Sequence, residues 1–147
     1  MSEAASRLTP PASPLTPFSW PVRVYYEDTD SGGVVYYANN LKFLERARTE
    51  WLRAFGFEQP QLLSDFNVIF VVRSVAIEYL RPAVFNDLLT VTATPNKIGR
   101  SSIDIAQTIE RDETLATAQV KIVCVDGASF KPVSIPATVK EKLEGTS

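Results

Sequence analysis

One long stretch, residues 41–55, carries the spacing of an amphipathic helix, and its apolar arc is wider than a surface helix needs. Leu41, Phe43, Leu44, Ala47, Trp51, Leu52, Ala54 and Phe55 cover roughly half of the circumference, leaving Lys42, Arg46, Thr49, Glu50 and Arg53 for the rest. A helix this apolar has to be cradled, as a curved sheet would cradle it. Asn39 or Asn40 is placed to cap its N-terminus, and Gly56 stands just past its C-terminus.

The rest of the chain supplies strands. From Trp20 onward, Val22, Val24 and Tyr26 alternate with Arg23 and Tyr25, so a strand precedes the helix. Beyond Asn67, residues 68–80 read as one long strand followed by Pro82. Residues 88–94 read as the next, with Leu89, Val91 and Ala93 on one face and Thr90, Thr92 and Thr94 on the other. A turn over 95–99 leads to a strand in which Ile103, Ile105 and Ile109 alternate with Ser102, Asp104, Thr108 and Glu110. Residues 111–113 turn the chain into a last strand over 115–125, and 136–143 suit a terminal helical turn. Residues 1–18, with Pro10, Pro11, Pro14 and Pro17, are expected to be a flexible lead-in, and 19–147 a single domain. Strand, long helix, then four strands predicts an α+β fold, with an antiparallel sheet wrapped around one long central helix.

The composition closes off several functions. The net charge of −2 gives no electrostatic case for nucleic acid. Cys124 is the only cysteine, so no intrachain disulfide can form, and nothing points to an oxidising compartment. The longest strongly apolar run, 68–72, is far too short for a transmembrane segment. The N-terminus lacks the basic-then-apolar pattern of a secretion signal, so a cytoplasmic protein is expected. There is no histidine, which removes His general bases, His-dependent triads and His metal ligands together. What remains is carboxylate chemistry.

The place for it is the acidic loop between the first strand and the helix. Asp30 lies there, and Gly32 and Gly33 let the backbone turn tightly and approach a ligand. Tyr36, Tyr37 and Ala38 stand where the chain enters the helix, so their N–H groups are candidates to hold a developing oxyanion. A carboxylate beside such donors could attack a carbonyl or activate water against it. Equally, Asp28 and Asp30 could be only turn and cap residues. Asp28 is expected to face away from Asp30, which leaves Asp30 as the carboxylate for chemistry.

The run Val22-Arg23-Val24-Tyr25-Tyr26-Glu27-Asp28-Thr29-Asp30, then Gly33-Val34-Val35-Tyr36 and Leu44-Glu45-Arg46-Ala47-Arg48-Thr49-Glu50, resembles the 4-hydroxybenzoyl-CoA thioesterase family, and within it the Tol-Pal system-associated acyl-CoA thioesterases. Phe70-Val71-Val72-Arg73, Glu78-Tyr79, Pro82-Ala83 and Val123-Cys124-Val125-Asp126 continue the resemblance over about residues 20–140. It implies a hot-dog fold and hydrolysis of acyl-CoA thioesters, with Asp30 as nucleophile or general base. It implies no metal and no redox cofactor, coenzyme A being part of the substrate. It also implies a homodimer or homotetramer with the active site at a subunit interface. Close relatives often carry His after the tyrosine matching Tyr36, where this chain has Tyr37. A phenol of ordinary pKa near 10 is no base at neutral pH, but it can donate a hydrogen bond or stack on an acyl group.

Other residues admit two roles each. Glu45 is either a second carboxylate in mid-helix or half of an ion pair with Arg48. Arg100 could meet the phosphates of coenzyme A, helped by Lys97, Lys121 or Lys131, or these are solvated charges. Cys124 is expected to be a small core residue, and the pairs Tyr25-Tyr26 and Tyr36-Tyr37 to be packing residues, with Tyr37 open to substrate contact as well. The alternative to an enzyme is a weakly active protein that binds acyl-CoA, acyl carrier protein or a Tol-Pal-associated partner in the cell envelope.

Overall fold

The computed structural model describes residues 17–145. Five antiparallel strands form one sheet: β1 (Phe18–Arg23), β2 (Val68–Tyr79), β3 (Leu88–Ile98), β4 (Ser102–Glu110) and β5 (Thr114–Asp126). Their spatial order is β1-β3-β4-β5-β2, so the first two strands in the chain are the two edges of the sheet. The expected helix is α1 (Asn39–Ala54), and it packs against β1, β3 and β4.

The wide apolar arc is used as its width implies. Phe43, Leu44, Ala47, Trp51, Leu52 and Ala54 are buried, with Phe43, Ala47 and Trp51 fully so. They meet Leu89, Val91 and Ala93 of β3 and Ile103, Ile105 and Ile109 of β4 in one core. Leu41 is the exception, exposed on the first turn of the helix. The resulting wrap of sheet around helix is the hot-dog arrangement.

Several boundaries differ from the sequence reading. β1 begins at Phe18, which is buried and pairs with Ala93, two residues before the expected start. The lead-in up to residue 16 lies outside the described residues. β1 also stops at Arg23, because Tyr26–Asp28 closes a 3-10 turn instead of continuing the strand. Neither Asn39 nor Asn40 caps α1: Ala38 is the N-cap, and both asparagines are already helical. Gly56 does follow the helix, at φ +93°, where its missing Cβ avoids strain. A second helix, α2 (Gln59–Phe66), was not anticipated. It is short and only Leu62 is buried, so it shows no apolar periodicity. β3 runs through the expected turn to Ile98, and a register shift between Pro95 and Lys97 accommodates the proline's missing donor. The chain then turns at Gly99, whose N–H meets the Ser102 carbonyl at 2.7 Å. The terminal turn is a full helix, α3 (Ala137–Glu144), anchored by Val139 and Leu143.

Two features of the sheet bear on function. The outer edge of β2 is unpaired among the described residues, and Val71, Val72 and Val75 along it are exposed. The inward face of β4 includes Gln107, buried to 1% exposure where the flanking isoleucines would predict another apolar residue. Its amide donates to the carbonyls of Leu44 and Thr92 at 3.1 and 3.2 Å and accepts from Arg48 at 3.0 Å, so every polar atom of the side chain has a partner. Among the described residues no helix is long and apolar enough to cross a membrane, and no group of three or more His, Cys, Asp or Glu residues gathers as a metal site would require.

Candidate active site

The 3-10 turn after β1 changes which way the two aspartates face. Asp28 turns inward. Its carboxylate accepts from the Tyr25 N–H and from the Asn39 side-chain amide, both at 2.8 Å, and its carbonyl accepts from the Tyr36 N–H at 3.3 Å. A buried carboxylate satisfied in this way ties the end of β1 to the first turn of α1. It is the turn-and-cap residue that one reading of the loop proposed.

Asp30 has the opposite setting. Its carboxylate is exposed, with Oδ1 accepting from the Gly32 N–H at 2.8 Å. Gly33 follows at φ +81°, a conformation that favours glycine, and its N–H returns to the Asp30 carbonyl at 3.1 Å. A Cβ on Gly32 would sit 3.3 Å from Asp30 Oδ1, crowding the carboxylate. The two glycines therefore close a tight turn that presents Asp30 outward.

Asp30 opens onto a cleft of about 500 Å3 between this loop, the first turn of α1, and the segment from the end of β2 to Ala83. Tyr36, Tyr37, Asn40, Tyr79 and Arg81 line it with Asp30. Of the residues expected at a site, the structure thus brings together Asp30, Tyr36 and Tyr37. Gly33 shapes the loop, and Ala38 begins the helix without lining the cleft.

The Tyr36 N–H is engaged by Asp28, which removes it from the candidate oxyanion donors. The Tyr37 and Ala38 N–H groups have no acceptor among the described residues. They are the orphan donors of a helix N-terminus, and Tyr37 lines the same cleft as Asp30. All four tyrosines, Tyr25, Tyr26, Tyr36 and Tyr37, are more than half exposed, so none belongs to the core, although Tyr26 meets the Phe85 ring edge-on at 5.8 Å. Tyr37 rests its ring on Tyr79 with centroids 4.9 Å apart. Burial, together with the neighbouring Tyr37, holds the Tyr79 phenol above its ordinary pKa.

Arg100 and Glu45 lie elsewhere. Arg100 follows β3, its Nε donating to Ser134 Oγ at 2.8 Å. From Ile109, near the cleft end of β4, to Ser102 the strand covers seven residue steps, roughly 23 Å at the usual rise. Within one chain Arg100 is not part of the cleft, whereas Arg81 is, paired with Glu113 at 2.9 Å. Arg81 went unremarked in the sequence because a lone arginine before a proline carries no pattern. Lys121 is held by Asp104 at 3.2 Å. Glu45 and Arg48 line a second, smaller hollow beside Phe70 and Val72, away from Asp30. They do not close an ion pair. Arg48 bonds Gln107 instead, and burial lowers its pKa while Glu45 acts in the other direction. Cys124 is buried in the core as expected, with burial pushing its thiol up to about 11.

Comparison with known proteins places this geometry. Residues 32–118 match the thioesterase superfamily. The chain is 48% identical over 124 residues to the acyl-CoA thioesterase YbgC of Haemophilus influenzae, covering 84% of this chain and 91% of that protein. It is 30% identical over 128 residues to the 1,4-dihydroxy-2-naphthoyl-CoA hydrolase of Nostoc punctiforme, covering 86% of each. The crystal structure of a probable thioesterase from Bartonella henselae superposes with a TM-score of 0.77 at 36% identity, covering 80% of this chain and 98% of that one. An exposed carboxylate beside free helix N–H groups, on a hot-dog scaffold with these similarities, leads to one assignment: the chain belongs to the thioesterase superfamily and is a thioester hydrolase.

Proposed function

We propose that this enzyme hydrolyses acyl-coenzyme A, and that Asp30 carries the reaction. One observation supports this above the others: the exposed Asp30 carboxylate shares a cleft with Tyr37 at the start of α1, and the N–H groups of Tyr37 and its neighbour Ala38 lack acceptors among the described residues. As a nucleophile, Asp30 would attack the thioester carbonyl, expel the coenzyme A thiolate and form an anhydride that water then cleaves. As a general base, it would take a proton from the water that attacks the same carbon. Either route yields the free acid and coenzyme A, and either develops negative charge on the carbonyl oxygen. Two preorganised N–H donors would stabilise that charge.

The rest of the site follows from this role. Tyr36 and Tyr37 flank the acyl group with exposed aromatic faces. Arg81, exposed and held by Glu113, is the cation lining the cleft that would meet a phosphate of coenzyme A. Arg100 keeps that role only if the nucleotide reaches along the molecule or if a partner subunit presents it. We also propose a C2 dimer formed through the open edge of β2, where three exposed valines leave strand and side chains uncovered. The dimer would place the second hollow, with Glu45 and Arg48, near the partner's cleft.

The test is thiol release from a panel running from acetyl-CoA through long aliphatic chains to benzoyl-CoA. Turnover of at least one member is expected. Binding without turnover across the panel would favour the alternative, a protein that holds acyl-CoA or acyl carrier protein.

A further inference from the structure

The carbonyl of Tyr37 accepts three hydrogen bonds. The Asn40 N–H reaches it at 3.1 Å, the Asn40 side-chain amide at 3.3 Å and the Tyr79 hydroxyl at 3.1 Å. The first two are local and belong to the first helical turn. The third comes from the last residue of β2, 42 positions away. It is the direct link, by hydrogen bond and stacked ring, between the sheet edge and the two residues whose N–H groups are unpartnered.

Peptide planarity makes this link consequential. The Tyr37 carbonyl and the Ala38 N–H belong to one rigid plane, and the two backbone rotations of Tyr37 join that plane to the Tyr37 N–H. Holding the carbonyl fixes the Ala38 donor directly and narrows the range open to the Tyr37 donor. A donor that is already oriented stabilises a developing oxyanion without reorganising when the charge appears. A donor bound to the carbonyl also polarises the amide, which strengthens the N–H on its other side.

We propose that Tyr79 is a positioning residue for thioester hydrolysis: through its hydroxyl it fixes the Tyr37–Ala38 peptide, and with it the donors that face the reacting carbonyl oxygen. The inference rests on the hydrolytic role of the Asp30 cleft. Tyr79 touches the backbone of Tyr37, not the reacting atoms, so its contribution is confined to the transition state, where the oxyanion exists.

The experiment is Tyr79→Phe, which keeps the ring against Tyr37 and removes only the hydroxyl, assayed on the fastest acyl-CoA of the panel beside Asp30→Asn. The expected result is a kcat lower by about tenfold, less than the loss of a whole oxyanion donor, with KM within about twofold and an unchanged melting temperature. An unchanged kcat, or a fall in kcat accompanied by a raised KM and a lowered melting temperature, overturns the positioning role. If Asp30→Asn loses activity while Tyr79→Phe does not, this inference fails and the hydrolytic reading stands. If Asp30→Asn keeps its activity, the hydrolytic reading fails and the inference falls with it.

Discussion

Asp28 is buried and Asp30 is exposed, although only Thr29 separates them. Alternation along an extended chain would put residues two apart on one face, so the opposite settings of the two aspartates come from the 3-10 turn at Tyr26–Asp28. The acidic pair was visible in the sequence. Which member would be spent on holding the loop was not, because that depends on Asn39 arriving at 2.8 Å from the helix. The tyrosines misled for a related reason. Aromatic residues usually pack into the core, and these four stay exposed, Tyr36 and Tyr37 along the lining of the Asp30 cleft. Cys124 permits a prediction at this scale. Burial raises its thiol from the usual value near 9 to about 11, so the folded protein keeps a proton that the unfolded chain gives up. That contribution to stability is complete below about pH 9 and is lost as pH rises toward about 11. Ellman's reagent at pH 8 should not react with the native protein and should titrate one thiol after denaturation. Rapid reaction in the native state would contradict the buried assignment.

At the scale of elements, α1 was legible because its arc and the matching faces of β3 and β4 repeat with different periods, 3.6 and 2, that cannot be mistaken for each other. α2 was not legible, because eight residues with one buried side chain carry no period. Gln107 was half legible. The alternation Ile103, Ile105, Ile109 places position 107 inward, and a polar residue there signals a partner that the sequence does not name. The partner is Arg48, held between helix and sheet. Gln107→Leu should therefore destabilise the fold despite the added apolar surface, since it orphans a half-buried guanidinium. The expected loss is about 1–3 kcal/mol in denaturant unfolding, the usual cost of an unsatisfied buried polar group. A neutral or stabilising substitution would show that the network matters little.

For the whole molecule, the order β1-β3-β4-β5-β2 puts the two chain-neighbouring strands on opposite edges and carries the loop after β1 across to the end of β2. That crossing builds the cleft, and it is a long-range consequence of topology that residue patterns do not contain. Among the described residues the same order leaves β2 with a bare edge. Light scattering at micromolar concentration should give at least twice the 16.3 kDa of one chain. Val72→Lys, placing a charge on that edge, should shift the protein toward monomer and lower turnover. A fully active monomer would remove the subunit interface from the mechanism. The central claim, that the Asp30 carboxylate performs the hydrolysis, is tested most directly by kcat of Asp30→Asn, which keeps the shape of the side chain and removes its charge. The account predicts a loss of at least about a hundredfold on any acyl-CoA that the wild type turns over, the lower end of what a positioned acid or base supplies. Near-wild-type kcat in that variant would contradict it.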